Sequence, residues 1–431
     1  MSAFFQALKD PSVVAKFQEL CGIEFIDDSV QEKNGDACSG GDNCHNSASA
    51  TNGIRKRHKE DKPKAEVGRS LANGYVDLSH PRDQAEWGNH VSEAGRPYRV
   101  NNKMWYYLFC FGSSLGGELF YITFFPFWFW NIDYFVSRRV IVVWAFTMYL
   151  GQSAKDIIRW PRPPSPPVAK IERTFDSEYG FPSTHAIVAF CIPFTFVYWT
   201  VGRYEYWYPA GYMIGAAWCL LVCVSRLYVG MHNILDVLAG LTLSVLLTCF
   251  ITPWLDTIDH FNLHHPYSPL LVVSSYFMLC LFYPSGGQWN TARGDTAMIV
   301  GTCAGVIYGA WINTQYNLLL DPSIPPPYKV IWPNIQQLGL FAVRFVLGGI
   351  IAGISRAVVK PLTLHTVCRL FGESTEDPKA RSRAVVEVPY KFFTYGFLGL
   401  MVVCVIPIVF RVLGIASLYE IGYEQAHTPA L

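Results

Sequence analysis

Three short pieces of sequence between Lys155 and Asp236 decide how the rest of the chain is interpreted. They read KDIIRWPRP (155–163), PSTH (182–185) and SRLYVGMHNILD (225–236). Each piece places basic residues or histidines at the edge of a strongly apolar segment. Because ionisable groups at membrane depth are costly, their presence there indicates a functional site. Together the pieces supply cations, two histidines and a carboxylate, which are groups that can bind a phosphate and attack it.

The composition of the chain is that of a membrane protein. Of its 431 residues, 51% are hydrophobic and only 16% are charged, whereas an average soluble domain carries about 25% charged residues. Residues 1–102 are polar, and the remainder alternates long apolar runs with short polar joints. This pattern predicts a chain that crosses the membrane several times. The formal net charge of +1 argues against a nucleic-acid partner.

The apolar runs predict an all-α polytopic membrane protein. A spanning helix needs about 20 mostly apolar residues, and nine segments approach this requirement, with Trp and Tyr near many of their ends. We therefore predict about nine transmembrane helices. The predicted spans are 104–130, 139–158, 184–201, 207–225, 234–254, 268–284, 296–312, 337–355 and 388–410.

The N-terminal region is predicted to differ from the rest. Residues 1–26 show apolar residues at helical spacing, which indicates a short amphipathic helix. Residues 27–70 are predicted to be disordered, because their composition buries too little apolar surface. Cys38, Cys44 and His45 lack a second CxxC-type pair, so a metal site is not favoured there. We predict three regions: a polar N-terminal region (1–102), a transmembrane core with the three pieces (103–260) and C-terminal transmembrane helices (261–431).

The first piece carries groups suited to a phosphate clamp. Lys155, Arg159 and Arg162 lie at i, i+4 and i+7 and would share one face of a continuing helix, which Pro161 and Pro163 then end. A phosphate monoester carries about −1.5 to −2 charges near neutral pH. Cations held at a membrane rim would bind its oxygens and stabilise the transition state. Taken alone, this piece is better explained as an ordinary basic flank of a membrane helix.

The second and third pieces place histidines at helix ends. Ser183 is a good N-cap, which puts Thr184 and His185 in the first helical turn, where free backbone N–H groups bind anions. A histidine there is placed to protonate a leaving oxygen. His232 and Asp236 are four residues apart, so the carboxylate would accept the Nδ1–H and leave Nε2 free as a nucleophile. A hydrogen-bonded interfacial histidine is the alternative.

In this order the three pieces resemble the signature of the type 2 phosphatidic acid phosphatase superfamily. That superfamily includes lipid phosphate phosphatases, glucose-6-phosphatases and vanadium haloperoxidases, and its signature reads K-x6-RP, P-S-x-H and S-R-x5-H-x3-D. Thr184 stands where a glycine is common, and it keeps the backbone donor. The resemblance implies the helical core of that superfamily. The matching residues are Lys155, Arg162, Pro163, Pro182, Ser183, His185, Ser225, Arg226, His232 and Asp236.

The resemblance also implies a mechanism. His232 would attack phosphorus to form a phosphohistidine, and Asp236 would orient and stabilise it. His185 would donate a proton to the departing alcohol and later help to activate water. No metal or other cofactor is implied. The residues implied to hold the phosphate are Lys155, Arg162, Ser183, Thr184 and Arg226.

A narrower resemblance concerns the substrate. SEYGFPSTH, SRLYVGMHNILDVLAG and the opening DPSVVAKFQELCG are similar to the endoplasmic-reticulum sphingosine-1-phosphate phosphatases, with the type 1 group favoured over type 2. This implies hydrolysis of sphingosine 1-phosphate and dihydrosphingosine 1-phosphate, with the lipid phosphate substrate in the bilayer and membrane lipids as partners. The alternatives are a glucose-6-phosphatase-like or other lipid phosphatase, and a non-catalytic lipid-binding or transport protein.

The membrane face of the site receives two opposite indications. The resemblance implies an active site on the lumenal side of the endoplasmic reticulum membrane. Two predicted spans precede the first piece, so the N-terminus and the site share one side. That side also carries most of the basic loop residues, which the positive-inside rule assigns to the cytoplasm. We take the lumenal side as the expectation.

Overall fold

The computed structural model describes residues 2–25, 89–91, 97–172, 177–286, 289–318 and 325–416. The predicted disordered segment 27–70, with Cys38, Cys44 and His45, lies outside these residues. The described chain is almost entirely helical. Its strands are short and form a three-stranded and a two-stranded sheet.

The N-terminal segment folds into two helices and a strand. Helix α1 (Ser2–Lys9) and helix α2 (Pro11–Leu20) replace the single predicted amphipathic helix. They are separate because Asp10 caps α2, with its carboxylate accepting from the Ser12 N–H at 2.9 Å. Three short strands follow: β1 (Ile23–Phe25), β2 (Asn89–Val91) and β3 (Pro97–Val100). Strand β3 pairs antiparallel with both β1 and β2.

Gln18 on α2 fastens this segment to the helical body. Its side chain is 2% exposed, and Nε2 donates to the carbonyl groups of Ala169 and Tyr228 at 2.7 and 2.8 Å. Its Oε1 accepts from the Ala169 N–H at 2.9 Å. The segment therefore holds the loop that follows the first sequence piece against the end of the helix that carries Arg226.

The helical body follows in chain order. Its helices lie along the predicted spans, and short strands β4 (Tyr204–Glu205) and β5 (Tyr328–Lys329) pair in parallel at one end. A 3-10 turn at Thr252–Trp254 and a π-helical turn at Met401–Val405 each join two consecutive helices. The helices are α3 (Lys103–Ser114), α4 (Glu118–Asn131), α5 (Tyr134–Ile158), α6 (Thr184–Thr200), α7 (Tyr208–Tyr228), α8 (Ile234–Ile251), α9 (Leu255–His264), α10 (Ser268–Leu281), α11 (Thr291–Gln315), α12 (Ile335–Phe371), α13 (Pro378–Ser382), α14 (Ala384–Leu400) and α15 (Ile406–Val412).

The predicted helical membrane fold is confirmed, whereas the count of nine spans is not. In the described residues five helices are long and apolar enough to cross a membrane, or six if α3 and α4 form one span bent by 62°. Two predicted spans correspond to the shorter apolar helices α6 and α10. Helix α5 is 25 residues long but is not among the five, and it carries four charged residues. These are Arg138, Arg139, Lys155 and Asp156.

The C-terminal helices pack through small residues. Gly301, Gly305 and Gly309 recur every four residues on α11. A Cβ on Gly305 would lie 1.8 Å from the carbonyl oxygen of Gly396 on α14. Such close approach is the way in which membrane helices gain packing without a hydrophobic driving force. Helix α11 of this pair also packs against α5.

Candidate active site

The first piece does not form the continuing helix that its spacing predicted. Helix α5 ends at Ile158, and Arg159 adopts a left-handed conformation with φ of 57°. The helix cannot continue because Pro161 disfavours helical geometry at the residue before it. The Arg159 Nε donates back to the carbonyl of Asp156 at 3.0 Å. Arg162 therefore reaches the site from a loop, and Arg159 does not share a helix face with it.

Lys155 and Arg162 nevertheless meet, at the carboxylate of Glu178. The Lys155 Nζ lies 2.8 Å from Glu178 Oε2 and donates to Thr184 Oγ1 at 3.1 Å. The Arg162 Nη2 is 4.0 Å from the same carboxylate oxygen. Burial opposes ionisation of Glu178, but the charge of Lys155 and the hydrogen bonds from Lys155 and Thr291 outweigh it, so the pKa of Glu178 is lowered. Glu178 is thus an ionised counter-charge between the two cations.

The second piece begins α6 as predicted. Ser183 is the N-cap, and its hydroxyl accepts from the Ala186 N–H at 3.4 Å. The Ser183 N–H donates to the carbonyl of Asp236 at 3.0 Å, which joins the second piece to the third. Gly240 permits this contact, because a Cβ there would lie 2.4 Å from the Ser183 carbonyl oxygen. His185, in the first turn of α6, is buried at the wall of a large cavity.

Arg226, near the end of α7, is fully buried beside the other cations. Its Nη1 donates to Ser113 Oγ at 2.5 Å and to Glu172 Oε2 at 2.6 Å. Among the described residues no hydrogen bond reaches its Nε or Nη2. Its charge acts electrostatically on both His185 and His232. Arg226 therefore keeps two donors for an added acceptor.

His232 lies just before α8 with its Nε2 facing a cation. The Nε2 is 3.3 Å from the Arg162 Nη1, which also donates to the carbonyl of Met231 at 2.9 Å. Burial lowers the pKa of His232 well below 6.5, and the charges of Arg162, Arg226 and Lys155 lower it further. The imidazole is therefore neutral at physiological pH, which is the form that acts as a nucleophile.

Asp236 does not make the hydrogen bond expected from its spacing. Its Oδ2 lies 3.7 Å from His232 Nδ1, beyond hydrogen-bond range. The same oxygen accepts from the Asn233 N–H at 2.8 Å and forms a capping box at the start of α8. The carboxylate is occupied because the helix begins at Ile234, two residues after the histidine.

Sequence reasoning missed the carboxylates and the partners supplied by distant segments. Glu178 lies in the quoted string SEYGFPSTH, but no spacing rule marked it. Thr291, at the start of α11, donates to Glu178 Oε1 at 2.7 Å. Asn290 and Tyr283 donate to the carboxylate of Asp156 on the last turns of α5, at 2.7 and 2.8 Å. The C-terminal part of the chain thus supplies hydrogen bonds to carboxylates of the site.

The arrangement can bind a phosphate beside a neutral imidazole. Hydrogen bonds and short contacts connect Lys155 to Thr184, Arg162 to His232 and Ser183 to Asp236, and Arg226 and His185 lie within electrostatic range. All eight predicted site residues therefore lie in one region. Among the described residues there is no group of three or more His, Cys, Asp or Glu that could hold a metal ion.

Comparisons with known proteins identify the family. The PAP2 superfamily matches residues 137–259, which include all eight predicted site residues. Sphingosine-1-phosphate phosphatase 1 of Rattus norvegicus is 38% identical over 95% of this chain and 97% of its own length. Sphingosine-1-phosphate phosphatase 2 of Homo sapiens is 36% identical over 96% of this chain and 100% of its own length. The chain belongs to the sphingosine-1-phosphate phosphatase family of the PAP2 superfamily.

Membership of this family makes the chain a phosphatase with a multi-pass membrane fold, and it confirms the resemblance read from the sequence. The preference for the type 1 group agrees with the rat and mouse type 1 proteins, both 38% identical over 95% of the chain. A dihydrosphingosine 1-phosphate phosphatase of Saccharomyces cerevisiae is 26% identical over 53% of the chain and 61% of its own length. No solved structure gives a significant match.

Proposed function

We propose that the chain hydrolyses sphingosine 1-phosphate and dihydrosphingosine 1-phosphate to the sphingoid base and phosphate, through a phosphohistidine on His232 and without a metal ion. The observation that carries the proposal is the buried, neutral His232 with its Nε2 3.3 Å from the Arg162 guanidinium. This arrangement supports the assignment of His232 as the nucleophile and of Arg162 as a phosphate-binding cation. The names of the relatives support the choice of substrate.

In the first half-reaction the Nε2 of His232 attacks phosphorus and the bond from phosphorus to the alkyl oxygen breaks. His185, in its protonated form, donates its proton to the departing oxygen, so the sphingoid base leaves as an alcohol. Lys155, Arg162 and Arg226 bind the phosphoryl oxygens and stabilise their charge in the transition state, which is the main catalytic contribution in phosphoryl transfer.

In the second half-reaction water attacks the phosphorus of the phosphohistidine. The now neutral His185 accepts a proton from that water, the nitrogen–phosphorus bond breaks, and inorganic phosphate leaves. Asp236 has the role of a nearby negative charge that stabilises the imidazolium ring while it carries the phosphoryl group; it lies 3.7 Å from His232 Nδ1. Ser183 and the Thr184 backbone assist in holding the phosphate at the start of α6.

The proposal includes a location and a division of the chain. We place the enzyme in the endoplasmic reticulum membrane with its site on the lumenal side, which follows the family resemblance. Residues 103–260 form the catalytic core, residues 261–431 supply helices that support it, and residues 1–102 form the N-terminal region. Substrate is expected to arrive from the bilayer, since the cavity at the site is bordered by membrane helices.

The test compares phosphate release from sphingosine 1-phosphate, phosphatidic acid and glucose 6-phosphate by the purified full-length chain. We expect the highest kcat/KM with sphingosine 1-phosphate, activity that survives EDTA, and inhibition by vanadate, which mimics pentavalent phosphorus. Preference for glucose 6-phosphate or phosphatidic acid would indicate the activity of another branch of the superfamily. A strict requirement for Mg²⁺ would contradict the mechanism, and release from none of the three would favour a non-catalytic protein.

A further inference from the structure

One cavity of about 510 Å³ begins at the proposed phosphate-binding groups and continues between the helices. Lys155, Arg162 and His185 contribute to its polar end. The rest of its wall is mainly apolar and comes from α4, α5, α11, α12 and α14. The cavity therefore joins a phosphate-binding end to an apolar passage, which suits an amphiphile with a phosphate head.

The wall supplied by α5 grades from polar to apolar. Lys155, Gln152, Met148, Trp144 and Ile141 all line the cavity, at the three- and four-residue spacing of one helix face. From the first to the last of these residues the helix rises about 21 Å, which is roughly two thirds of the hydrocarbon thickness of a bilayer. Gln152 is the neighbour of Lys155 on this face, so a polar group follows the clamp before the apolar wall begins.

The amide of Gln152 has an unused acceptor. Gln152 is 4% exposed, and among the described residues no hydrogen bond reaches its Oε1. Buried polar atoms in native proteins are nearly always hydrogen-bonded, so an exception at the wall of a cavity indicates a partner that binds there. An amide oxygen requires a donor such as an ammonium or a hydroxyl group.

A carboxylate faces the same cavity from α11. Asp295 lines the cavity, and no hydrogen bond reaches its side chain from the described residues. It lies within electrostatic range of Glu178, which bonds Lys155 directly, and of Glu118 at the start of α4. Lys391 lies within electrostatic range of Asp295, and its ammonium donates to Glu387 Oε1 at 3.2 Å. Three carboxyl groups, those of Glu118, Glu178 and Asp295, therefore line the cavity that begins at the phosphate clamp.

We propose that Asp295 and Gln152 form a subsite for the ammonium group of a sphingoid-base phosphate. The subsite rests on the proposed function and adds a determinant of specificity to it. In such a substrate the amine-bearing carbon is bonded to the phosphorylated carbon, so its cation must lie close to the phosphate clamp. The ammonium donates to the Asp295 carboxylate in a charge-assisted hydrogen bond and to Gln152 Oε1. Diacylglycerol phosphates carry no cation there.

The experiment uses the full-length protein in detergent micelles with three long-chain phosphates: sphingosine 1-phosphate, its N-acetyl derivative and octadecyl phosphate. We expect the wild type to show a kcat/KM for sphingosine 1-phosphate about tenfold or more above that for the two analogues, which lack the ammonium group. We expect Asp295→Asn to lose that advantage, chiefly through KM, and Gln152→Leu to lose part of it. Both variants should keep octadecyl phosphate hydrolysis within about twofold, which also shows that they are folded.

The matched control is Lys391→Met, which removes the competing cation and leaves the carboxylate. It should retain or increase the preference for the amine. Equal losses on all substrates in Asp295→Asn, or loss of the preference in both Asp295→Asn and Lys391→Met, would assign a purely structural role to the electrostatic interaction between Asp295 and Lys391 and overturn the subsite. So would a wild type that does not distinguish the three long-chain phosphates. Wild-type hydrolysis of none of them would instead contradict the proposed function on which the subsite depends.

Discussion

The two ends of helix α5 both carry buried cations, yet they differ in how those cations are paired. At the first end Arg138 forms a two-pronged contact with Asp259, at 2.7 and 2.8 Å, and Arg139 lies 3.1 Å from the same carboxylate. Asp256 also bonds Arg139 at 3.0 Å. At the last end Lys155 and Arg162 share the single carboxylate of Glu178. Among the described residues Arg139 and Arg226 each keep two nitrogens without a hydrogen bond, so the ends differ in the number of carboxylates per cation and not in unbonded donors.

This difference distinguishes a structural charge network from a site that awaits a ligand. Two carboxylates, Asp256 and Asp259, match the two arginines of the first end in number and fix α9 against α5. At the last end two cations share one carboxylate, which leaves positive charge for a doubly charged phosphate. Position at a helix end therefore does not identify a phosphate site, whereas the sharing of one carboxylate by two buried cations marks the candidate.

Loss of the nucleophile should have the largest effect. We expect His232→Ala to lower kcat by about 10⁴-fold or more, because residues that form a covalent intermediate cannot be replaced by neighbouring groups. The measurement is phosphate release from sphingosine 1-phosphate by protein purified from membranes. The matched control is His260→Ala, which removes an exposed histidine from α9 and should leave activity unchanged. Turnover near that of the wild type in His232→Ala would contradict the assignment.

Removing an ion pair at the first end of α5 should lower the free energy of unfolding and leave turnover unchanged. Arg138→Met removes both hydrogen bonds to the buried Asp259 carboxylate and leaves it the contact with Arg139 alone, which we expect to cost about 1.5–3 kcal/mol in the free energy of unfolding. Equilibrium unfolding in mixed micelles measures this loss, and kcat per folded molecule should be unchanged. Lys155→Met is the counterpart at the other end and should lose turnover instead. The comparison between the ends fails if Arg138→Met abolishes turnover while stability is retained.

A smaller effect is expected from Thr291, which donates to Glu178 from outside the region that matches the superfamily. Thr291→Val removes this hydrogen bond to a charged group, and we expect kcat/KM to fall about tenfold because Glu178 no longer holds Lys155 and Arg162 in register. Thr291→Ser retains the hydroxyl and should restore most of the activity. A serine variant as impaired as the valine variant would show that Thr291 acts through packing.

Much of the fold and of the site was predictable because local patterns determine them. Apolar runs predicted the positions of the helices, and the Ser183 cap predicted the start of α6. The order of the three motifs predicted that eight residues would lie in one site. The number and length of the spans were less predictable. The way in which α5 accommodates its charged residues, and the bend between α3 and α4, both depend on tertiary packing. Glu178 and Thr291, 113 residues apart, meet only through the tertiary fold. Local spacing also misled for Arg159 and Asp236, whose side chains serve the helix ends.

The smallest expected effect concerns the pKa of His232, whose imidazole lies beside the cations at the last end of α5. Burial, followed by the charges of Arg162, Arg226 and Lys155, lowers this pKa well below 6.5, because each disfavours the protonated ring. The neutral ring is the nucleophile, so the activity that depends on it is lost only as pH falls through the lowered pKa. We therefore expect the acid limb of kcat/KM that reports His232 to lie below pH 6.5.

Arg162→Met removes one of the opposing charges, so the pKa of His232 should rise and the acid limb should move to higher pH while still lying below 6.5, since burial remains. Profiles of kcat/KM against pH for the wild type and the variant measure the shift, and ionisation of the substrate contributes equally to both. Arg381→Met, at an exposed arginine of α13, is the control and should leave the limb in place. A limb that stays fixed or moves to lower pH in Arg162→Met would show that the cations at this end of α5 do not set the charge state of the nucleophile.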